Sequence, residues 1–377
     1  MPADVPQTRG LLSFLRTSDG WPYLLVPFIP AAIALELAHA GPIVLFVTSA
    51  LGVIPTAALM GRATEELAAR SGPGIGGLLN VTFGNAPELI IALFALNQGL
   101  QEVVKASIVG SIIGNVLLVM GASMFFGGLG RDRQRFNATA ASAQSSMLLL
   151  ATVAVVMPAV FELVEGKGLP SPSDELVNYG TSVEHLSVIT AVVLIGAYVA
   201  GLIFSLRTHR DLFNPQAEAE HAEEPWSVRK AVGMLALAGV AVAVMSEILV
   251  GSISETAAKA GISEFFIGAI VVAIVGNAAE HWVAVLVARK DKMDLAVNIS
   301  IGSSAQVALF VAPALVLASY LIGPGPMPLV FNGFEVAALI LAALIANQVT
   351  QDGESTWFEG VQLLAVYVII GVAFFIA

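Results

Sequence analysis

Two stretches of the chain, FGNAPELIIALFAL at residues 83–96 and VGNAAEHWVAVLVA at residues 275–288, share the pattern Gly-Asn-Ala-x-Glu followed by a long apolar run. A glutamate at the centre of a membrane helix costs about 2.5–3.5 kcal/mol on insertion scales. Such a residue usually faces the protein interior and has a partner there. The repeated glutamate therefore predicts one functional site that is built from two distant parts of the chain.

The composition indicates a membrane protein. Of the 377 residues, 57% are hydrophobic and 12% are charged, and the mean hydropathy is +0.85. A soluble domain is about 45–50% apolar and about 25% charged. We therefore predict an all-α polytopic protein of the lipid bilayer, with no nucleic-acid partner. The chain has no cysteine, which excludes disulfides and cysteine-bound metal centres.

Apolar stretches of roughly 20 residues, enough to cross a bilayer core about 30 Å thick, predict about eleven transmembrane helices. We place them at residues 21–39, 42–60, 75–98, 104–129, 137–163, 185–206, 227–250, 264–288, 293–322, 329–349 and 356–377. The first stretch is too long for a typical signal-peptide core, so we interpret it as a retained leading helix.

The distribution of positive charge predicts the orientation of these helices. With the N-terminus placed inside, only Lys105, Lys167 and Lys259 of the 17 lysines and arginines fall outside. Positive residues accumulate in cytoplasmic loops. We therefore predict that the N-terminus lies inside and the C-terminus outside, in a membrane that the short termini suggest is a prokaryotic cytoplasmic membrane.

The sequence also contains an internal repeat. Four pairs of positions correspond in the same order: Gly61 and Glu65 with Gly251 and Glu255, Gly84 to Glu88 with Gly276 to Glu280, Gly110-Ser111 with Gly302-Ser303, and Phe136-Asn137 with Phe331-Asn332. This order predicts a leading helix within residues 1–41, a five-helix repeat at 42–206, an acidic inside linker at 207–226 and a second five-helix repeat at 227–377. Because five is odd, the second repeat is inverted, and inverted repeats are typical of secondary transporters with a site near the bilayer midplane.

The two motifs suggest the chemistry of that site. Asn85 and Glu88 are three residues apart and share one helix face, as do Asn277 and Glu280. The Gly84 and Gly276 segments favour a local break, and broken helices at this depth expose carbonyls only where they line a cavity. Two carboxylates, two amides and carbonyl oxygens suit a hard cation such as Ca²⁺ better than zinc or copper.

The same two carboxylates can couple cation movement to proton movement. In an empty site, desolvation and like-charge repulsion both favour protonation of Glu88 and Glu280. Cation and protons then compete for the same oxygens, which is the basis of an antiporter. His281 either assists proton transfer or orients a neighbour. We predict Ca²⁺ and H⁺ as partners and no resident cofactor, and the oligomeric state stays open.

Other polar residues keep two interpretations each. Ser111 and Ser303 either line the site or belong to small-residue packing positions. Asn115 and Gln306 are buried amides that need partners, which favours a place in the site. Glu65 and Glu255 act as a gate or relay, or they are solvated carboxylates at span ends. The acidic cluster Glu218, Glu220, Glu223 and Glu224 is a solvated linker or an attractor of cations.

At these residues the sequence resembles the cation/proton exchanger (CAX) family of Ca²⁺/H⁺ antiporters, within the cation/Ca²⁺ exchanger superfamily. The motifs GNAPELIIALF and GNAAEHWVAVLVA carry the resemblance, with GSIIGNVLL, GSSAQVALF, GRATEELA and DGESTWFEG in support. The resemblance implies an eleven-helix fold and export of Ca²⁺ from the cytosol against protons. It also implies that Glu88 and Glu280 bind cation and protons, with Asn85, Asn277, Ser111, Ser303 and Gln306 around them. Pro87 departs from the Thr, Val or Ala expected in the family.

Other kinds of function fit parts of this pattern. The nearest alternatives are a Na⁺-coupled Ca²⁺ exchanger and a monovalent cation/H⁺ antiporter of the same fold. A channel is a further alternative, although an inverted repeat around two titrating carboxylates favours alternating access. A membrane metalloenzyme is disfavoured because the sequence has no H-E-x-x-H pattern. We therefore predict a transporter rather than an enzyme.

Overall fold

The computed structural model describes residues 20–174, 176–205 and 226–377. The N-terminal residues before 20, and all but the last residue of the predicted acidic linker, lie outside this part of the chain. Within it, eight helices are long and apolar enough to cross a membrane, and three apolar helices are shorter. Together with one further short helix, α8, they are α1 (Trp21–Leu37), α2 (Pro42–Gly84), α3 (Ala86–Asn97), α4 (Gln101–Gly128), α5 (Ala138–Val164), α6 (Thr181–Ile203), α7 (Val228–Gly251), α8 (Ile253–Ala260), α9 (Glu264–Arg289), α10 (Met293–Ala318), α11 (Gly333–Val349) and α12 (Trp357–Ile376).

The segment predicted as the first repeat begins differently from the prediction. We predicted helices at 42–60 and 75–98 with a loop between them, whereas α2 is helical throughout Pro42–Gly84. The helix is sharply bent between Ala68 and Gly76. The bend is shown by a short distance: a Cβ atom on Gly76 would lie 2.4 Å from the carbonyl oxygen of Ala68. Residues eight apart in a straight α-helix are about 12 Å apart. The predicted loop is therefore wrong as secondary structure, although the chain does change direction there.

The leading helix is also shorter than predicted. A 3₁₀ turn at Trp21–Leu25 precedes the α-helix Phe28–Leu37, whose N-cap is Pro27. Proline lacks a backbone N–H and interrupts helical hydrogen bonding, which explains the break. The other predicted spans agree with the observed helices to within a few residues, and α8 is an additional short helix that we did not predict.

The ends of several helices follow from local capping residues. The Asn137 side chain accepts a hydrogen bond from the first turn of α5. Asn332 with Glu335, and Thr356 with Glu359, form capping boxes at the starts of α11 and α12. These side chains satisfy backbone N–H groups that have no partner inside the helix.

One feature departs from the all-α prediction. Two short strands, β1 (Gln134–Arg135) and β2 (Glu354–Ser355), pair antiparallel between the helices. Arg133 Nη1 lies 2.5 Å from Glu354 Oε2 beside this pair. The hydrogen bond from Arg133 holds the pKa of Glu354 below its usual value. The contribution of this exposed contact to stability is therefore lost as the pH falls through that lowered pKa.

Helices α4 and α10 form the centre of the fold. In their most apolar segments, 89% of α4 and 67% of α10 are buried inside the protein. Helix α4 crosses α9 very closely, since a Cβ atom on Gly110 would lie 1.9 Å from the carbonyl oxygen of Ala269. A Cβ atom on Gly268 would likewise lie 2.8 Å from the carbonyl oxygen of Val103. The two backbones are thus in direct contact, as is common where membrane helices pack through small residues.

Helices α4, α9 and α10 are not regular throughout. Four segments have π-helical hydrogen bonding: Gly114–Val119 in α4, Ile267–Val272 in α9, and Asn298–Gly302 and Val307–Val311 in α10. Such segments are rare, and they are frequent at functional sites. Each one lies within a few residues of a side chain that the sequence marked as a site candidate.

Candidate functional site

The two glutamates of the repeated motif meet reciprocally in the interior. A Cβ atom on Gly276 would lie 3.5 Å from Cγ of Glu88, and a Cβ atom on Gly84 would lie 3.8 Å from Oε1 of Glu280. Each glutamate therefore lies against the glycine of the other motif. Glu88 and Glu280 are also close enough to interact electrostatically. The structure thus brings together all four motif residues at these positions.

The first motif places Glu88 at the start of a helix. Helix α2 ends at Gly84, Asn85 has a non-helical backbone (φ −96, ψ 18), and α3 begins at Ala86. Pro87 occupies the first turn of α3, where its missing N–H costs no hydrogen bond. Glu88 lies in the same first turn, at the positive end of the helix dipole.

The second motif does not break its helix. Helix α9 is α-helical from Ala273 to Arg289, through Gly276 and Asn277. The prediction of a local break is therefore confirmed at the first motif and wrong at the second. The second motif has Ala279 where the first has Pro87, so its backbone keeps every N–H donor. The departure from regular α-helix falls earlier, at Ile267–Val272.

The amide nitrogens of the two motif asparagines donate hydrogen bonds to residues other than the two glutamates. Asn85 Nδ2 donates to Oε1 of Gln306 at 2.7 Å. Asn277 Nδ2 donates to Oγ of Ser111 at 3.2 Å and to the carbonyl oxygen of Ala273 at 2.9 Å. Because both amide nitrogens are bonded in this way, both Oδ1 atoms are left as acceptors.

Three buried oxygens of this site have no hydrogen-bond donor in the part of the chain that the structure describes. They are Oδ1 of Asn85, Oδ1 of Asn277 and Oε2 of Glu88. An unsatisfied buried polar atom normally costs about 1–3 kcal/mol, so each one needs an explanation. Oxygens that only accept, on one carboxylate and on the two motif asparagines, are suited to a cation or to protons.

Serines border both glutamates. Ser303 Oγ donates to Oε2 of Glu280 at 3.3 Å. Ser111 and Ser107 line a narrow cavity beside Glu88, together with Ala273. Ser107 was not among the residues predicted from the sequence. It lies four residues before Ser111 on one helix face, and this spacing was the signal that would have found it.

His281 and Asn115 form a separate pair beside the glutamates. His281 Nε2 lies 3.1 Å from Oδ1 of Asn115. Asn115 Nδ2 is buried and has no hydrogen-bond partner among the described residues. The contact agrees with the interpretation of His281 as an orienting residue. It places Asn115 against the histidine rather than against either carboxylate.

The two gate candidates have different surroundings. Glu65 lies on the exposed face of α2 and interacts electrostatically with Glu280. Glu255 has a side chain that is 72% exposed and lies 3.8 Å from Lys259 on the same helix. Of the two equivalent positions, Glu65 is thus near enough to Glu280 for their charges to interact, while both side chains are exposed.

The types of side chain at this site limit the kind of cation that it can bind. Within residues 20–174, 176–205 and 226–377, no three or more His, Asp or Glu side chains are grouped as a metal site. A cation at Glu88 and Glu280 would therefore be bound by two carboxylates and neutral oxygens. Such a set suits a transported hard cation better than a tightly held zinc ion.

Comparisons with known proteins show the family to which this chain belongs. Residues 41–207 and 230–376 match the family described as sodium/calcium exchanger protein. The chain is 46% identical over 357 residues to the Ca²⁺/H⁺ antiporter ChaA of Bacillus subtilis, a match that covers 94% of this chain and 98% of that protein. The solved structure of native YfkE is similar at a TM-score of 0.79 and 42% identity, covering 94% of this chain and 100% of that one.

A more distant structure supports the fold alone. The crystal structure of the H⁺/Ca²⁺ exchanger CAX is similar at a TM-score of 0.70 with 18% sequence identity. The similarity covers 96% of this chain and 93% of that one.

Proposed function

Because this chain belongs to the sodium/calcium exchanger family, and within it to the cation/proton exchanger group, we propose that it exchanges Ca²⁺ for protons across a membrane. The family consists of transporters, so the chain is an integral membrane protein rather than an enzyme. The observation that carries the proposal is the pair of glutamates that lie reciprocally against the motif glycines, together with three oxygens without a donor, one on Glu88 and one on each motif asparagine.

The coupling follows from the charge of this site. Ionised Glu88 and Glu280 together balance the two charges of Ca²⁺, and the Oδ1 atoms of Asn85 and Asn277 supply neutral oxygens. When the cation leaves, two protons restore neutrality at the same carboxylates, since two buried like charges repel each other. Cation and protons therefore exclude one another. Alternating exposure of this one site to the two sides of the membrane yields antiport.

We also propose that the chain consists of a leading helix and two inverted five-helix repeats. A matching pair of contacts between the halves supports this proposal. Asn332, which caps α11, donates through Nδ2 to Oε1 of Glu102 in the first turn of α4 at 2.7 Å. Asn137, which caps α5, donates through its backbone N–H to Oδ1 of Asp294 in the first turn of α10 at 2.6 Å. Each capping asparagine thus bonds to an acid of the other half.

The direction of transport follows from the proposed orientation. The positive charge pattern puts the N-terminus inside and the C-terminus outside, and this orientation fits a prokaryotic cytoplasmic membrane. In such a membrane, inward movement of protons drives export of Ca²⁺ from the cytosol. Glu65, in the middle part of α2 that this orientation puts on the inside, then lies on the inner approach to Glu280.

Ca²⁺ uptake into proteoliposomes that contain the purified protein tests this function. With an acidic lumen and an alkaline bath, we expect Ca²⁺ to enter while protons leave, and we expect collapse of the pH gradient to stop uptake. A pH-sensitive dye inside the vesicles reports the proton flux at the same time. Uptake that follows an imposed Na⁺ gradient and ignores pH would instead place the protein among sodium-coupled exchangers. Ca²⁺ flux without any proton movement would indicate a channel.

Ser303 and its neighbour Ser304 allow a matched comparison at the cation site. Ser303→Ala removes the hydroxyl that donates to Glu280, and hydrogen bonds to charged groups contribute about 1.5–3 kcal/mol. We expect the Ca²⁺ concentration for half-maximal uptake to change roughly tenfold or more, since 1.4 kcal/mol corresponds to a factor of ten.

Ser304→Ala is the control. The Ser304 hydroxyl donates to the carbonyl oxygen of Ser300 at 2.9 Å within its own helix and lies 3.4 Å from the carbonyl oxygen of Ile112 in α4, so its partners are backbone carbonyls rather than a carboxylate. We expect this variant to keep the wild-type half-maximal concentration. Equal behaviour of the two alanine variants would show that the Ser303 hydroxyl does not act on the cation site.

A further inference from the structure

A second group of buried charges lies away from Glu88 and Glu280. It consists of Glu102 and Lys105 in α4, and of Asn332 and Glu335 at the start of α11. Their exposed fractions are 1%, 4%, 0% and 0% respectively. The charge pattern of the sequence marked Lys105 only as an outside loop charge, whereas its side chain is enclosed in the protein. This group joins a helix of the first half to a helix of the second half.

The hydrogen bonds of the group are well defined. Lys105 Nζ lies 2.7 Å from Oε2 of Glu102 and donates to the carbonyl oxygen of Val330 at 3.0 Å. Asn332 donates through Nδ2 to Oε1 of Glu102 at 2.7 Å, and through its backbone N–H to Oε2 of Glu335 at 2.8 Å. Oε1 of Glu335 is buried and has no donor in the described part of the chain.

The two carboxyl groups lie side by side, because Asn332 bonds to both of them, through Nδ2 to Oε1 of Glu102 and through its backbone N–H to Oε2 of Glu335. Two ionised carboxylates only accept hydrogen bonds and repel each other, so a proton on one of them removes the repulsion. The balance of charge leads to the same conclusion. Lys105 balances one carboxylate, and a second buried carboxylate without a counter-charge is strongly unfavourable.

Other titratable groups that face this cluster do not change the balance. Tyr179, from the segment between α5 and α6, faces Lys105 and Glu335, and burial raises the pKa of its hydroxyl to about 12, so it stays neutral. Glu162 of α5 lies 3.5 Å from Nζ of Lys167, which is also 2.9 Å from Glu165. Lys167 is thus already committed to two other carboxylates. The dipoles at the starts of α4 and α11 favour ionisation, but their partial charges are smaller than the full charge of a second carboxylate.

We propose that Glu102 and Glu335 bind one proton between them, at a site separate from Glu88 and Glu280, and that this protonated pair holds α4 against α11. Glu102 is nine residues from Ser111, about 13 Å along an α-helix with a rise of 1.5 Å per residue. The shared proton is therefore resident in the pair and is not one of the protons that compete with the cation.

The shared proton sets the direction of a pH effect. At neutral pH the folded protein holds a proton that the unfolded chain has already released. The free energy of unfolding therefore falls as the pH rises. At a pH alkaline enough to remove the shared proton, two carboxylates face one ammonium group and the contact between α4 and α11 weakens.

Infrared spectroscopy of the purified protein detects this proton directly. In a Glu88→Gln/Glu280→Gln background at mildly alkaline pH, we expect a protonated carboxylic acid band that shifts in deuterated water. Adding Glu335→Gln removes the band, and so does adding Glu102→Gln. Both replacements keep the side-chain shape, and the amide introduced by Glu335→Gln donates to Glu102 in place of the shared proton. Glu162→Gln is the matched control, a buried glutamate with a lysine partner, and it leaves the band in place. A band that persists in either variant overturns the proposal.

Two further measurements compare the wild type with the single variant Glu335→Gln, in which Glu88 and Glu280 are intact. We expect the thermal unfolding midpoint of the wild type to fall over the pH range in which the infrared band disappears. We expect the midpoint of Glu335→Gln to stay level over the same pH range. We expect Glu335→Gln to retain Ca²⁺ uptake driven by a pH gradient. A folded Glu335→Gln variant that has lost this uptake would show that the proton belongs to the transport cycle, which overturns the claim of a separate site. Failure of the wild type to exchange Ca²⁺ for protons bears on the proposed function alone, because the infrared band does not depend on transport.

Discussion

Glu88→Gln and Glu280→Gln are each expected to abolish Ca²⁺ uptake driven by a pH gradient. Each replacement keeps the shape of the side chain and removes one of the two negative charges that face the cation. Removing one partner of a buried charge pair costs about 3–5 kcal/mol, which corresponds to a loss of affinity of roughly a hundredfold or more. Glutamine also binds no proton, so whatever cation flux remains loses its coupling to pH.

The measurement is initial Ca²⁺ uptake into proteoliposomes, with equal amounts of folded protein checked by gel filtration. Glu264→Gln is the matched control, because it makes the same charge change in the first turn of the same helix as Glu280. We expect this control to transport at close to the wild-type rate. If both Glu88→Gln and Glu280→Gln transport normally, the cation is not bound where we place it.

Gly110→Ala is expected to damage the fold more than a methyl group added at any other glycine of α4. Its new Cβ atom would lie 1.9 Å from the carbonyl oxygen of Ala269 and 2.8 Å from Cβ of Ala273. The first of these neighbours is backbone, so α4 and α9 must move apart. Overpacking of this kind costs about 1–3 kcal/mol and occasionally more. We expect a clear fall in the thermal unfolding midpoint and in the yield of monodisperse protein.

Gly114→Ala tests the same substitution one turn along α4. A Cβ atom on Gly114 would meet no atom within 4 Å outside its own helix backbone. Since alanine also favours helix by up to about 1 kcal/mol over glycine, this variant should unfold at or above the wild-type midpoint. Equal midpoints for the two alanine variants would mean that α4 and α9 are not in backbone contact at Gly110.

Much of the helical framework follows from apolar length alone, because a bilayer demands long apolar helices whatever their neighbours are. Helix α5 at Ala138–Val164 and helix α10 from Met293 illustrate this agreement. The stretch between residues 60 and 75 disagrees with the prediction, since charged Arg62 and Glu65 suggested a loop where the structure has a helix. A polar sequence can remain helical when it lies at the edge of the membrane, and hydropathy does not distinguish the two cases.

The repeated motif predicted that Glu88 and Glu280 lie together, and the structure does place them against each other's glycines. The differing backbones of the two copies were harder to foresee. A single residue, Pro87 against Ala279, distinguishes a broken helix from a continuous one, and similarity between the copies hides that difference.

The Glu102–Glu335 pair was beyond sequence reasoning for a different reason. Its members lie in the first turns of two helices, where acidic residues are ordinary because they favour the positive end of the helix dipole. Neither residue belongs to a repeated motif. Only the packing of α4 against α11 shows that both side chains are enclosed.

The reciprocal contacts between glutamates and glycines constrain how this sequence can evolve. Gly276 packs against Glu88, and Gly84 packs against Glu280. A side chain larger than a methyl group at either glycine would press on a carboxylate encoded in the other half of the gene. We therefore expect that a substitution in one copy of the motif is tolerated only with a matching change in the other, so that the two copies evolve together.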